Sequence, residues 1–143
     1  MITAVDTNIL LDVFGADASF GQASANALRL CLAAGAVVAC EIVWAETAAA
    51  FTEEAVFVDA MTTLGISFQA IDREVAISAG AVWRSYRQRG GKQERVVADF
   101  LIGAHALLRC DRLLTRDRGF YRSYFEKLDV LRVTKSLHDR ADR

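Results

Sequence analysis

The chain contains no proline, no internal repeat and no serine- or glycine-rich linker, so nothing in it marks a domain boundary. Cysteine is sparse. Cys31, Cys40 and Cys110 form an odd set without a CxxC pair, which argues against a disulfide framework and for reduced thiols serving as small hydrophobes. The longest apolar uncharged run, Leu30 to Cys40, has 11 residues, short of the ~20 that span a bilayer. The N-terminus has no positively charged stretch ahead of a long apolar run, so no secretory signal is expected and the cytoplasm is the expected location. Histidine is limited to His105 and His138, neither at a metal-site spacing, and zinc chemistry has little to work with. His105 follows Asp99 by six residues, about 240° around a helix, and reads as a packed core histidine.

Positive charge is scarce in one half only. Residues 1 to 71 carry Arg29 alone against eight acidic side chains, whereas residues 72 to 143 carry sixteen basic against ten acidic, although the whole chain has a net charge of -1. The basic half could attract a polyanion through its phosphates, and the acidic half could supply metal ligands; two solvated faces of differing charge would look the same. What remains, 143 residues of which 53% are hydrophobic and 24% charged, fits one globular domain over residues 1–143.

Hydrophobic periodicity alternates strand and helix. Strands are expected at Ile2–Asp6, Ala36–Cys40, 66–71, Arg112–Thr115 and 130–133. Helices are expected at about Gly21–Ala34, Val43–Phe51 with further helix to about Leu64, Arg73–Gln88 ended by Gly90-Gly91, and Val96–Leu108. Short apolar strands joined by helices predict an α/β three-layer sandwich, with a central, mostly parallel sheet of four or five strands flanked by helices. Ligands of such sheets bind beyond the carboxyl ends of the strands.

Four acids fall where that rule places chemistry. Asp6 closes the first strand, where it could also cap a short helix. Asp117 follows the strand Arg112–Thr115, where an Asp before Gly119 could equally form a turn. Glu46 lies early in the helix after the second strand, among apolar neighbours that suggest partial burial. Glu41, five residues away, points about 140° elsewhere and reads better as a dipole-stabilising or solvated acid at the helix mouth. Asp99 interrupts the nearly all-apolar segment Val96–Leu108, and a carboxylate there requires a cationic partner. Arg95, one helical turn earlier, could supply an i,i+4 pair.

Carboxylates gathered about 4 Å apart repel by about 4 kcal/mol per pair at an effective dielectric near 20, and a divalent ion resolves that cost. All-oxygen ligands select Mg²⁺ or Mn²⁺, which can orient and acidify a water for attack on a phosphodiester. Basic residues border the proposed site: Arg84, Arg87, Arg89, Lys92 and Arg95 around the Gly90-Gly91 loop, and Arg109, Arg112, Arg116, Arg118 and Arg122 around the fourth acid. Of these, Arg87, Arg89, Lys92, Arg95, Arg116 and Arg118 are the candidate contacts to the phosphates of a polyanionic substrate. Tyr86, Phe120 and Tyr121 lie among them as candidates for stacking on unpaired bases, although core packing is the commoner fate of such rings.

Taken together, Val5-Asp6-Thr7-Asn8, Ile42-Val43-Trp44-Ala45-Glu46, Ala98-Asp99-Phe100-Leu101-Ile102-Gly103-Ala104-His105-Ala106 and Leu113-Leu114-Thr115-Arg116-Asp117-Arg118-Gly119-Phe120 resemble the PIN-domain nucleases, most closely the VapC-like toxins of bacterial toxin–antitoxin pairs. The resemblance spans essentially the whole chain. It implies an Mg²⁺- or Mn²⁺-dependent endoribonuclease that forms a homodimer and is silenced by a VapB-like antitoxin. Asp6, Asp99 and Asp117 would hold the metal, and Glu46 would bind a second ion or orient water. Thr7, Asn8 and Thr115 would support these acids. Two other functions compete. A haloacid-dehalogenase-like phosphatase also ends its first strand in Asp, but needs a second acid where this chain has Asn8. A non-catalytic nucleic-acid-binding module would use the basic half alone. Gly90-Gly91-Lys92-Gln93 is not a phosphate-binding P-loop, because Gln93 replaces the required Ser or Thr.

Overall fold

The computed structural model describes residues 1–91 and 95–135; Lys92 and His138 therefore lie outside the described residues. In chain order the elements are β1 (Ile2–Val5), α1 (Thr7–Phe14), α2 (Gly21–Ala34), β2 (Ala36–Ala39), α3 (Glu41–Ala48), α4 (Glu54–Leu64), β3 (Ile66–Phe68), α5 (Arg73–Gln88), α6 (Val97–Arg109), β4 (Arg112–Thr115), α7 (Phe120–Tyr124) and β5 (Val130–Arg132). The five strands pair in the order β3-β2-β1-β4-β5. Every pairing is parallel, with Ala4 of β1 set against Val38 of β2 and Leu113 of β4. The expected α/β sheet flanked by helices is what the chain forms.

Strand sequences follow from this placement. Residues 37–39 of β2 and 113–115 of β4 are all buried, so the strands read as short apolar runs rather than alternating ones. Val5, Ile9, Leu10, Leu28, Val37, Phe100, Leu113 and Leu114 form the centre of the core, each contributing about 1.5–3 kcal/mol by burial. The α5 and α6 helices pack on one another, as do α1 and α2. Gly103 lets the Phe125 ring lie close to α6, because a Cβ there would stand 2.5 Å from a ring carbon. After α5, Gly90 takes a left-handed φ of 75°, the stop expected of the glycine pair. Among the described residues the three thiols are unpaired, and no helix is long and apolar enough to cross a membrane.

Two boundaries differ from the periodicity by more than a residue or so, each for a local reason, and two helices lie outside it. The helix expected at Val43–Phe51 begins at Glu41 and ends at Ala48, because Glu53 is extended and Phe51 turns inward to meet Phe14 and Phe57 edge-on at 5.4 and 5.5 Å. The strand expected over 66–71 stops at Phe68. Its continuation leaves the ladder where the Ile71 amide donates to the Glu41 carboxylate at 2.9 Å. Of the two helices outside the periodic set, α1 is the short helix that Asp6 caps, and α7, with five residues, is under two turns.

Candidate active site

The sheet order places a crevice at its centre. From β1 the chain winds outward through β2 and β3, then returns to the other side of β1 to lay down β4 and β5. The direction of winding thus reverses between β1 and β4, the point where open parallel sheets hold ligands beyond their carboxyl ends. Asp6 and Asp117 come from the two strands that flank this point.

Asp6 is buried, with 7% of its surface exposed. Its backbone N–H continues the sheet by donating to the Leu114 carbonyl at 2.9 Å. One carboxylate oxygen accepts the Thr7 N–H at 2.8 Å, so the residue does cap α1. The other accepts the Thr115 hydroxyl at 2.7 Å and, more weakly, the Asn8 amide at 3.4 Å. The capping and site roles are therefore compatible. Burial raises the Asp6 pKa to about 6 against the pull of Thr115 and Thr7, and the charges of Asp99 and Asp117 push the same way.

Thr115 links the two strand-end acids, since its hydroxyl oxygen also accepts the Asp117 N–H at 3.0 Å. Asn8 reaches Thr115 through its amide at 3.4 Å and accepts the Arg116 N–H at 3.3 Å. The Asp117 Oδ2 atom accepts from the N–H groups of Gly119 and Phe120 at 3.1 and 2.8 Å, starting α7. Asp99 sits in the first turn of α6, where the helix dipole favours a carboxylate. Burial raises its pKa, Arg95 lowers it, and the charges of Asp117 and Glu46 raise it further. Each acid thus feels others electrostatically across one crevice.

Glu46 departs from its expected burial. It lies on the exposed side of α3, between the inward-facing Val43 and Thr47, yet its carboxylate accepts the Thr7 hydroxyl at 2.8 Å and so leans toward the rim. Glu41 stands apart, occupied by Ile71. Buried His105 meets the Gln69 side chain at 2.8 Å, and burial lowers its pKa, so it is the neutral core histidine the sequence suggests.

The basic residues divide. Arg87, Arg89 and Arg118 are exposed, with Arg87 over the Trp83 ring and Arg89 over that of Tyr124, each 4.6 Å from the centroid. Arg95 reaches the acids, its Nη2 at 3.1 Å from Asp117 Oδ1 and its Nη1 at 3.6 Å from Asp99 Oδ2. Arg116 packs over Phe20 and approaches the buried Asp12 carboxylate at 3.0 Å without the alignment of a hydrogen bond. Arg109 and Arg112 do not surround the fourth acid. Arg109 pairs with Asp72 and Glu74 at 2.7 and 2.9 Å, and Arg112 begins β4 at the end away from Asp117, where it donates to Thr3. Tyr86, Phe120 and Tyr121 are all buried, packed with Phe100, Tyr124 and Phe125, and offer no face for a base.

Two residues of this region carried no sequence signal for their position. Asp12, buried on α1, accepts the Ser24 hydroxyl at 2.9 Å and ties α1 to α2 and to the Arg116 loop. Tyr121 has a buried hydroxyl without a partner among the described residues. Burial raises its pKa well above 10, and Asp6, Asp99 and Asp117 add to the effect. Only the fold brings that hydroxyl near the acids.

The donor set is carboxylate, hydroxyl and amide oxygen, which fits a hard divalent ion in chemistry. As they stand, no three acidic, histidine or cysteine side chains among the described residues are grouped closely enough to chelate one ion. Arg95 instead holds Asp99 and Asp117 together.

The fold thus carries its acids at the winding reversal, the edge at which sheets of this kind hold ligands. The chain belongs to the PIN-domain family, which it matches over residues 3–126, and PIN domains are in general nucleases. Three solved structures are similar in fold. A VapBC2 complex of Rickettsia felis bound to a promoter DNA fragment has a TM-score of 0.73 at 16% identity, over 94% of this chain and 100% of that one. A VapBC-1 structure from nontypeable Haemophilus influenzae gives 0.69 at 18%, over 92% and 98%. A toxin–antitoxin complex from Klebsiella pneumoniae gives 0.64 at 22%, over 90% and 95%. No curated protein matches in sequence.

Proposed function

We propose that this PIN domain is an Mg²⁺- or Mn²⁺-dependent endoribonuclease and the toxin of a toxin–antitoxin pair, active in the cytoplasm. The observation that carries the reading is the convergence of Asp6, Asp99 and Asp117 on the crevice between β1 and β4, with Glu46 leaning in through Thr7. Asp6, Asp99 and Asp117 would hold the metal, and Glu46 would take a second ion or orient water. The bound ion would supply an activated water and neutralise charge on the phosphoryl oxygens. Thr115 and Asn8 keep Asp6 aimed, and loss of such supporting contacts usually costs 10–100-fold in metal affinity or activity. Exposed Arg87, Arg89 and Arg118 attract the RNA backbone, and a homodimer would double that basic surface. The similarity to VapBC complexes favours a VapB-like antitoxin as the silencing partner. Asn8 is a carboxamide without a titratable proton, so it lacks the general acid that a haloacid-dehalogenase-like phosphatase needs at that position.

The test is incubation of the protein with total RNA, followed by sequencing of the new ends. Cleavage at defined positions with Mg²⁺, lost in EDTA and restored by Mg²⁺ or Mn²⁺, is the expected result. Cleavage that persists in EDTA would refute metal dependence. Absence of cleavage under every metal would refute the nuclease reading.

A further inference from the structure

We infer that Arg95 is the resident counter-ion of the acid cluster, and that a divalent cation binds by taking its place, so that Arg95 sets the metal affinity of the site. The inference rests on the reading of the cluster as a metal site. Its basis is the use made of each Asp117 oxygen. Oδ2 is committed to the N–H groups of Gly119 and Phe120, which start α7, and Oδ1 is committed to Arg95 at 3.1 Å. A metal that ligates Asp117 without unpicking the start of α7 must use Oδ1. One lone pair of Oδ1 already takes the guanidinium, and a divalent ion brought onto the other would stand against that positive charge, which drives the guanidinium out.

The same guanidinium lies 3.6 Å from Asp99 Oδ2, so its departure frees a second carboxylate oxygen at the same time. It rests on the Phe120 ring, 4.4 Å from the centroid, which holds it in the crevice rather than in bulk water. Arg95 also explains how acids that repel one another stay together without metal. One positive charge serves two carboxylates, where an ion would bring two charges and shorter contacts. Metal binding and Arg95 release are then linked, and whatever free energy holds Arg95 in the cluster is subtracted from that of metal binding.

The experiment is Mn²⁺ titration by electron paramagnetic resonance, at moderate and high KCl, of the wild type, Arg95→Gln and Arg122→Gln. Arg122 is an exposed cation on α7 that makes no ion pair among the described residues, and it reports the general effect of deleting a nearby positive charge. Arg95→Gln is expected to bind Mn²⁺ about tenfold more tightly than wild type. The gain should persist at high salt, because a direct contact is screened far less than charges a Debye length, about 8 Å, apart. Arg122→Gln should stay within about twofold, and any gain should fade with salt. Thermal melting in EDTA should show Arg95→Gln folded but less stable than wild type, its acids left unpaired. Wild-type and Arg95→Gln affinities that agree, or a gain that salt erases to the Arg122→Gln level, would overturn the inference while leaving the metal site standing. If neither wild type nor Arg95→Gln binds Mn²⁺, the metal reading and the inference fall together.

Discussion

Asp99→Asn is expected to lower RNA cleavage in Mg²⁺ by at least about a hundredfold, while RNA retention on a filter stays equal to wild type or becomes tighter. The size follows from role, since loss of a residue that only supports a metal ligand already costs 10–100-fold, and a ligand itself should cost no less. The substitution is isosteric and the side chain is only half-buried, so the fold should survive it. Removing one negative charge beside Arg95 lets that guanidinium serve Asp117 alone, and weakens repulsion of an incoming phosphate. A binding module without catalysis would show no cleavage from either protein, with retention intact. A variant that cleaves within twofold of wild type would show that the site lies elsewhere.

Asp6→Asn should separate activity from stability. Cleavage should be lost, yet the metal-free protein should melt at a higher temperature than wild type at neutral pH. The folded state holds the Asp6 proton up to a pKa of about 6, against an ordinary value of 3.8. Between those values the folded chain binds more protons than the unfolded one, so stability falls as pH rises through the window and the deficit is complete above it. The full deficit is at most about 3 kcal/mol. At about 2–4 °C per kcal/mol for a chain of this length, recovery of half of it gives a rise of about 5 °C. Calorimetry in EDTA at pH 7.5 and pH 5 checks this: wild type should gain on acidification relative to the variant, and the two curves should converge. Added Mn²⁺ should stabilise wild type and leave the variant unmoved. A variant that melts lower than wild type at pH 7.5 would mean that the hydrogen bonds from Thr115 and Thr7 to the charged carboxylate outweigh its burial.

The parts of this site legible in the sequence are those set by local pattern. Asp6 and Asp117 each end an apolar run read as a strand, and the rule for parallel sheets then places both at one edge. Asp99 stood out as a charge among apolar helix residues, and Arg95 as its partner one turn earlier. Contacts across the sheet were not legible. The Thr115 hydroxyl that aims Asp6 is 109 residues away, and the second acid held by Arg95 is 22 residues away. The first depends on β4 lying beside β1 and the second on α6 packing against β4, neither of which periodicity encodes. Glu46 was expected to be buried because its neighbours are apolar, but α3 turns Val43 and Thr47 inward and leaves Glu46 on the rim side. The aromatics near the basic residues were core all along, and Arg109 and Arg112 answer to partners at the start of α5 and in β1. A charge count along the chain cannot distinguish these from Arg87 or Arg118.

The central claim, that these acids share one divalent cation, is tested most directly by anomalous diffraction from crystals of the protein soaked in Mn²⁺. The account predicts a peak in the crevice between β1 and β4, within direct ligand distance of carboxylate oxygens of Asp6, Asp99 and Asp117, with the Arg95 side chain withdrawn. A fully soaked crystal whose only peaks lie away from that crevice would contradict it.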